Sequence, residues 1–174
     1  IGTNAAGTAA LGNAQLGIIL DLAPSNTLIG GLVAGAGNVI SGNAGQGIQV
    51  TGTGNVVQGN LIGTNAAGTV ALPNQSSGVR LSGISNTIGG TVAGARNVIS
   101  GNASGGILID NAGTTANNVQ GNYIGTNAAG TAALANSGHG VYLYNGPSGN
   151  TIGGTVAGAG NVISGNTQSG VLLD

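Results

Sequence analysis

The side chains that could do acid, base or ion-binding chemistry in this chain are few: three aspartates, two arginines and one histidine among 174 residues. Each aspartate lies four residues after a glycine that begins a repeated motif; the three are Asp21, Asp110 and Asp174. A glycosidase needs two carboxylates within about 10 Å of each other, one as acid and one as base or nucleophile. The spacing predicts one column with gaps of roughly 14 Å and 10 Å, which is too sparse for a catalytic pair.

The remaining ionisable residues also argue against a catalytic site. Arg80 is predicted to project beside Asp110 of the next coil, as a surface ion pair worth at most about 1 kcal/mol. His139 is the only histidine of a chain without cysteine, and no carboxylate is nearer in sequence than Asp110. A zinc site or a nucleophilic triad is therefore not expected. We predict no enzymatic activity, no cofactor and no metal.

Composition limits the partners. A net charge of −1 provides no basic surface for nucleic acid. The chain is 40% hydrophobic with regularly spaced aliphatic residues, which argues against disorder. The longest apolar stretch, Leu28 to Gly37, is about half the length of a bilayer-spanning helix, so membrane insertion is not expected. Without cysteine there is no disulfide framework.

The chain is a tandem array. The octapeptide Ile-Gly-Thr-Asn-Ala-Ala-Gly-Thr begins at Ile1, Ile62 and Ile124, at intervals of 61 and 62 residues. A fixed period indicates that each unit buries its apolar face against its neighbours. We predict one solenoid domain over residues 1–174, made of about three repeats and forming a segment of a longer array.

A shorter period lies inside the long one. Six times a glycine is followed by an aliphatic residue, any residue and another aliphatic residue, at Gly17, Gly47, Gly78, Gly106, Gly140 and Gly170. The middle position accepts Gln, Arg and Tyr, while its neighbours are always aliphatic. This alternation is typical of a strand with one buried face.

Asparagine marks two further strands in each interval. The second strand is predicted from Asn followed two residues later by an aliphatic residue: Asn26 with Leu28, Asn55 with Val57, Asn86 with Ile88, Asn117 with Val119, and Asn150 with Ile152. The third strand begins at asparagine corners and has isoleucine as its third residue. The corners are Asn38, Asn60, Asn97, Asn122 and Asn161, and the predicted core isoleucines are Ile40, Ile62, Ile99, Ile124 and Ile163.

An asparagine at a corner can donate to one neighbouring coil and accept from the other, so we interpret these residues as structural. Asn74 and Asn102 also begin glycosylation sequons, which apply only in a eukaryotic secretory pathway.

Three short strands per roughly thirty residues describe a triangular coil whose successive turns pair in parallel at about 4.8 Å. The predicted fold is an all-β parallel solenoid with about five complete coils and partial coils at both ends. Alternate coils carry the longer Asn-Ala-Ala-Gly-Thr loop, here called the tongue, with Leu11, Leu72 and Leu134 expected to fold back as its anchors.

Three strings carry a resemblance to a known architecture: Asn97-Val-Ile-Ser-Gly-Asn102, Asn86-Thr-Ile-Gly-Gly90 and Gly106-Ile-Leu-Ile-Asp110. They resemble the repeats of right-handed parallel β-helices, as in pectate lyases, and more closely the degenerate arrays of large secreted or surface proteins of bacteria. The resemblance implies right-handed coiling, an extracellular or cell-surface location and carbohydrate as the commonest partner.

One surface feature is unusual for a solenoid exposed to water. The outward residue of the third strand is apolar in every coil, forming a stripe of Val39, Leu61, Val98, Tyr123 and Val162. Such a patch favours either lateral association or a covering by the tongue. The outward residues of the second strand include Thr27, Thr87 and Thr151, but the neighbouring column lacks the threonines that an ice-binding face would need.

These patterns favour a structural or interaction solenoid of an extracellular bacterial assembly, such as a filament, sheath, stalk or surface-protein spacer. Its expected partners are copies of itself, end to end or side by side, or neighbouring repeats of a longer chain, because neither end supplies a polar cap. The alternatives are a carbohydrate-binding adhesin segment, with Tyr123, Tyr142 and Tyr144 as a stacking platform, or the non-catalytic part of a polysaccharide-active enzyme.

Overall fold

The computed structural model describes all 174 residues and has the predicted architecture, an all-β parallel solenoid of about five coils with about 31 residues per turn. Strands account for 34% of the chain and helix for 2%. The only helix is a short 3-10 turn over Ala93–Ala95. No helix has the length and apolarity needed to cross a bilayer.

Sixteen strands, numbered in chain order, form three parallel sheets. Sheet 1 contains β1 (Ile18–Leu20), β4 (Ile48–Thr53), β7 (Val79–Ile84), β10 (Ile107–Asp110), β13 (Val141–Tyr144) and β16 (Val171–Leu173). Sheet 2 contains β2 (Leu28–Gly30), β5 (Val56–Gln58), β8 (Thr87–Gly89), β11 (Asn118–Gln120) and β14 (Thr151–Ile152). Sheet 3 contains β3 (Val39–Ile40), β6 (Leu61–Ile62), β9 (Val98–Ile99), β12 (Tyr123–Ile124) and β15 (Val162–Ile163).

The core is a set of aliphatic columns that run through the coils. In sheet 3, isoleucine pairs with isoleucine at every step, from Ile40 through Ile62, Ile99 and Ile124 to Ile163. The first four are fully buried, and Ile163 is partly buried. Because each side chain rests on its counterpart in the next coil, apolar surface is removed from water in one continuous column.

The first coil departs from the predicted alignment of its second strand. Ile29, not Leu28, pairs with Val57, while Leu28 pairs with outward-facing Val56 and is 57% exposed. The backbone N–H of Thr27 donates to Oδ1 of Asn55, a bond that asparagine makes in the later coils. The assignment of Asn26 and Leu28 to the second strand's corner and inward positions was therefore wrong by one residue.

The connection before this strand explains the shift. Leu22, Ala23 and Asn26 all adopt positive φ values, near 55°, in the loop between β1 and β2. Left-handed residues reverse the chain locally, so the loop delivers Thr27 to the corner that asparagine occupies elsewhere. The same shift replaces Thr27 by Leu28 in the outward column, which removes a further threonine from the file considered for ice binding.

Each tongue is a small hairpin. Antiparallel bridges close the three tongues, between Thr3 and Ala10, Thr64 and Ala71, and Thr126 and Ala133. In the second tongue the side-chain oxygen of Asn65 accepts from the N–H groups of Thr69 and Val70 at 2.8 Å and 3.2 Å. The buried hydroxyl of Ser41, one coil away, donates to the carbonyl of Thr64 at 2.7 Å and so fixes the tongue's base.

The expected leucine anchors behave unequally. Leu72 and Leu134 are half-buried, and their carbonyl groups accept from the N–H groups of Gly42 and Gly101. Leu11 is 70% exposed, so the prediction that it folds back as an anchor was wrong.

Candidate functional site

Three ladders of asparagine side chains run along the solenoid and confirm the prediction that corner asparagines bond coil to coil. In the sheet 3 ladder, each Nδ2 donates to Oδ1 of the next asparagine, at 2.9–3.1 Å from Asn38 through Asn60, Asn97 and Asn122 to Asn161. A second ladder connects Asn55, Asn86, Asn117 and Asn150. Burial without a partner would cost each amide about 1–3 kcal/mol, so the ladders allow asparagine inside the coil.

The third ladder escaped the sequence analysis. It connects Asn13, Asn43, Asn74, Asn102, Asn136 and Asn166 through bonds of 2.8–3.0 Å. The distance in sequence from the preceding third-strand isoleucine to the ladder asparagine alternates between 12 and 3 residues. The longer distance occurs in the coils that carry a tongue between the two residues. Counted forward, each of the six asparagines stands four residues before a strand glycine. This constant four-residue spacing between asparagine and glycine is the sequence pattern from which the third ladder could have been predicted.

The two sequons belong to this ladder. Asn74 is fully buried and Asn102 is 1% exposed, and each donates to the next asparagine of the ladder. Their amides therefore have no access to a glycosylating enzyme in the folded chain.

All ladders have the same direction. Both the side-chain Nδ2 and the backbone N–H of Asn97 donate toward Oδ1 of Asn122, at 2.9 Å and 3.3 Å, while Oδ1 of Asn97 accepts from Asn60. One face of every coil therefore presents asparagine donors and the opposite face presents asparagine acceptors.

The ionisable groups predicted for sheet 1 take their expected places. Nη2 of Arg80 lies 2.6 Å from Oδ2 of Asp110, so the predicted ion pair forms. It is not the surface pair that was expected, because Asp110 is buried. Nε of Arg80 is buried without a hydrogen-bond partner. Asp110 pairs in register with Tyr144, which places three coils, or about 14 Å, between it and Asp21. The column does not bring two carboxylates to one point.

An aromatic groove, defined by His139, Tyr142 and Tyr144, lies on the outer face of sheet 1. The His139 and Tyr142 ring centroids are 5.1 Å apart, and those of Tyr142 and Tyr144 are 5.3 Å apart. The groove has a volume of about 380 Å³, and Ser77, Ser104 and Gln168 add polar groups to its walls.

Two hydrogen bonds orient the rings. The Tyr142 hydroxyl donates to Oδ2 of Asp174 at 3.1 Å, and Nδ1 of His139 accepts from the N–H of Ser169 at 3.2 Å. Partial burial, followed by the hydrogen bond and charge of Asp174, raises the pKa of Tyr142 above its ordinary value of 10.0. His139, a partly exposed loop residue, forms one end of this groove.

Tyr123 lies elsewhere. It belongs to sheet 3, where its ring stacks under the guanidinium of Arg96 at 4.1 Å and touches Gly130 of the third tongue. Of the three tyrosines predicted to form a stacking platform, only Tyr142 and Tyr144 therefore lie together, and the ring of His139 lies beside them.

The outward stripe of sheet 3 is covered in part. Gly68 of the second tongue lies against Leu61, and Gly130 of the third tongue lies against Tyr123. Val98, between them in register, is only 5% exposed, whereas Val39 is half-buried and Val162 is exposed. The tongues also bond to each other, because the N–H of Ala128 donates to the carbonyl of Gly68 at 2.9 Å.

No protein-family model, no curated protein and no solved structure matches this chain in the comparisons with known proteins.

Proposed function

We propose that this chain is a structural or interaction solenoid of an extracellular bacterial assembly, without enzymatic activity of its own. The observation that carries the proposal is the shared direction of the asparagine ladders. The face bearing Asn38 presents Oδ1 acceptors, and the face bearing Asn161 presents Nδ2 and N–H donors. A coil of the same kind complements either face without rearrangement, so the partner is a copy of the chain or a neighbouring repeat.

Surface charge supports the same role. The chain has five charged residues, and Arg80 and Asp110 neutralise each other within sheet 1. Little electrostatic repulsion then opposes close stacking of copies. The extracellular location rests on the resemblance to arrays of bacterial surface proteins.

Electron microscopy of the purified chain tests the proposal. The result expected is fibres whose axis coincides with the solenoid axis, growing with protein concentration. Replacing Asn161 by Val removes the side-chain donor at the end of the sheet 3 ladder and should shorten the fibres. The other two ladders still end on that face, at Asn150 and Asn166. Asn118→Ala is the matched control, because Asn118 lies on the outer face of sheet 2 and its side chain makes no hydrogen bond. Monodisperse short rods at every concentration would overturn end-to-end association.

A second candidate function, glycan binding by an adhesin segment, is favoured by the aromatic groove. Tilted rings at 5.1 Å and 5.3 Å form a shelf on which a sugar ring can stack, and the serine and glutamine groups can bond its hydroxyls. Nuclear magnetic resonance titration with cellohexaose and maltohexaose tests this candidate. Tyr142→Ala should abolish binding, whereas Tyr123→Phe should leave it intact. Binding that survives Tyr142→Ala, or no binding by the parent chain, would exclude this groove.

A further inference from the structure

The tongues form a column of their own along the solenoid. The N–H of Ala66 in the second tongue donates to the carbonyl of Gly7 in the first, at 2.8 Å. The N–H of Ala128 in the third tongue donates to the carbonyl of Gly68 in the same way. Because only alternate coils carry a tongue, this column repeats every two coils.

Both ends of the tongue column lack partners. The carbonyl of Gly130, the counterpart of Gly68, accepts no hydrogen bond. The N–H of Ala5, the counterpart of Ala66, donates none. The third tongue therefore presents the acceptor that the first tongue of a second copy would need.

A serine in the coil before each tongue provides a second contact of this kind. The Ser100 hydroxyl donates to the carbonyl of Thr126 at 2.7 Å, and Ser41 holds the second tongue by an equivalent bond. Ser164 has the same place after its isoleucine, but it is exposed and its hydroxyl bonds no tongue. Thr3, in turn, is the tongue threonine whose carbonyl has no serine donor.

The exposed leucine of the first tongue also lacks a partner. The N–H of Gly101 donates to the carbonyl of Leu134 at 3.0 Å. Gly165 is the counterpart of Gly101, and its N–H has no acceptor, while the carbonyl of Leu11 has no donor. Leu11 is 70% exposed because the coil that would hold it is absent from its side of the chain.

The third asparagine ladder has complementary ends at the same two coils. Oδ1 of Asn13 accepts from no asparagine, and Nδ2 of Asn166 donates only to the carbonyl of Ile124, at 3.1 Å. Asn166 therefore has a donor for the acceptor of Asn13.

A hollow of about 180 Å³ lies beside the third tongue and is lined by Gly130, Val162 and Ser164. Val98 is the counterpart of Val162 in the coil that the third tongue follows, and it is 5% exposed. Val162 is 39% exposed, because no tongue follows its coil. The hollow is thus the place where a further tongue would lie.

We infer that copies of the chain join in a single register, in which the first tongue of one copy docks beside the third tongue of the next. The inference rests on the end-to-end association proposed above and specifies its geometry. One placement, two coils beyond the third tongue, completes all four contacts together. The pairs are Ala5 with Gly130, Thr3 with Ser164, Leu11 with Gly165, and Asn13 with Asn166.

The same placement sets the strands at the junction. One copy supplies the first strand of the shared coil, β16, and the other supplies the third-strand segment and its tongue. Strand β1 of the second copy then lies next to β16, so sheet 1 continues through the junction. The contact joins two different faces of the chain, and such a contact repeats into a filament.

Disulfide cross-linking tests the register, because the chain has no cysteine of its own. The outward residues Ile19 of β1 and Leu172 of β16 should be parallel neighbours across the junction, about 4.8 Å apart, within the range that a disulfide spans. After oxidation, the double variant Ile19→Cys with Leu172→Cys should give covalent oligomers. The double variant Gln49→Cys with Leu172→Cys should stay monomeric, because Gln49 lies one coil farther away.

Single substitutions measure the individual contacts. Ser164→Ala should raise the concentration at which fibres form about fivefold, the size of one hydrogen bond. Ser148→Ala is the control, because this exposed serine lies between β13 and β14, away from the tongues. Asn166→Val should shorten the fibres more than Asn161→Val, because the shared coil has no corner asparagine to pair with Asn161. Each of these asparagines accepts from one asparagine of its own chain, so the internal losses are alike.

The outcomes separate this register from end-to-end association itself. Absence of both fibres and cross-links in the parent and double variants would overturn the association and the register together. Fibres that do not cross-link through Ile19→Cys with Leu172→Cys, or that cross-link through Gln49→Cys, would overturn the register alone. Equal fibre formation by Ser164→Ala and Ser148→Ala would also contradict it.

Discussion

Cγ2 of Ile99 lies directly over Gly78: a β-carbon on that glycine would stand 2.6 Å from the methyl group. The same relationship joins Ile40 to Gly17, Ile62 to Gly47 and Ile124 to Gly106, where an added β-carbon would stand 2.6–2.8 Å from the isoleucine methyl group. The two most regular features of the sequence, the strand glycine and the third-strand isoleucine, are thus two halves of one contact. Because the core is closely packed, a larger residue at the strand glycine would require a smaller residue at the isoleucine position.

Substitution of the strand glycine should destabilise the solenoid. In Gly78→Ala the new methyl group would meet Ile99, Nδ2 of Asn102 and the carbonyl of Gly106, all within 3 Å. We expect a loss of about 1–3 kcal/mol in the free energy of unfolding, measured by chemical denaturation. Gly113→Ala is the control, because no atom lies within 4 Å of its added methyl group, and should change stability by less than about 0.5 kcal/mol. Equal effects of the two substitutions would refute the contact.

Interruption of a ladder should cost more than loss of an exposed amide. Asn97→Ala removes the acceptor of both Asn60 donors and the donors to Val57 and Asn122, all within the core. Since each unpaired buried group costs about 1–3 kcal/mol, we expect a total loss of about 3–5 kcal/mol. The same denaturation experiment on Asn118→Ala, at an outward position of sheet 2, should show almost no loss. A ladder residue no more sensitive than Asn118 would contradict the structural role of the asparagines.

Removal of one tongue should leave the coils intact and loosen the surface above them. The tongue coil has 11 residues between Ile62 and Asn74, where the short coil has Ser-Gly between Ile99 and Asn102. Replacing those 11 residues by Ser-Gly preserves the strand spacing but uncovers Leu61. We expect the parallel-β circular dichroism spectrum to persist, with a lower melting temperature and greater binding of a hydrophobic dye. Loss of the folded spectrum would show that the tongue is part of the folding unit.

The hydrogen bond between Tyr142 and Asp174 leads to a prediction about the pH dependence of stability. The pKa of Tyr142 is raised because burial and the neighbouring carboxylate disfavour the phenolate. A raised pKa means that this phenol stabilises the fold below the pKa of an unfolded tyrosine, near 10.0, and that the contribution disappears as pH rises through the native pKa.

Asp174→Asn should therefore shift the ionisation step of Tyr142, followed by ultraviolet absorbance, to lower pH. Asp21→Asn, in the same column but at the other end of sheet 1, should leave that step unchanged. A step that stays fixed or moves upward in Asp174→Asn would contradict the assignment.

The parts of the fold that could be predicted are those that recur at a constant offset in each coil. The strand glycine and the inward isoleucine do so, and both occupy their predicted columns. Asn26 fits the asparagine pattern by residue type, yet Thr27 takes the corner, because the path of a loop with three left-handed residues is not encoded in strand periodicity. The ladder through Asn74 and Asn102 could not be recognised by a constant distance from the third-strand isoleucine, because alternate coils have a tongue between the two residues.

The candidate sites were less accessible to sequence reasoning. Tyr142 and Tyr144 are two residues apart on one strand, so their shared face follows from strand geometry. The approach of His139, three residues before Tyr142, depends on the path of the loop before β13, which strand periodicity does not predict. Tyr123 lies apart from Tyr142 and Tyr144 because it belongs to a third strand and they belong to a first strand. Grouping the three residues only because all are tyrosines ignores this difference.

The vertical stacking of sheet 3 isoleucines is the claim on which the whole architecture depends. Methyl-labelled isoleucine and nuclear Overhauser spectroscopy measure it directly, because cross-peaks arise only between methyl groups that are close in space. The fold predicts cross-peaks from Ile62 to Ile40 and Ile99, and from Ile124 to Ile99 and Ile163, with none between Ile40 and Ile124. Absence of the Ile62 to Ile99 cross-peak, or a strong one between Ile40 and Ile124, would contradict the parallel solenoid.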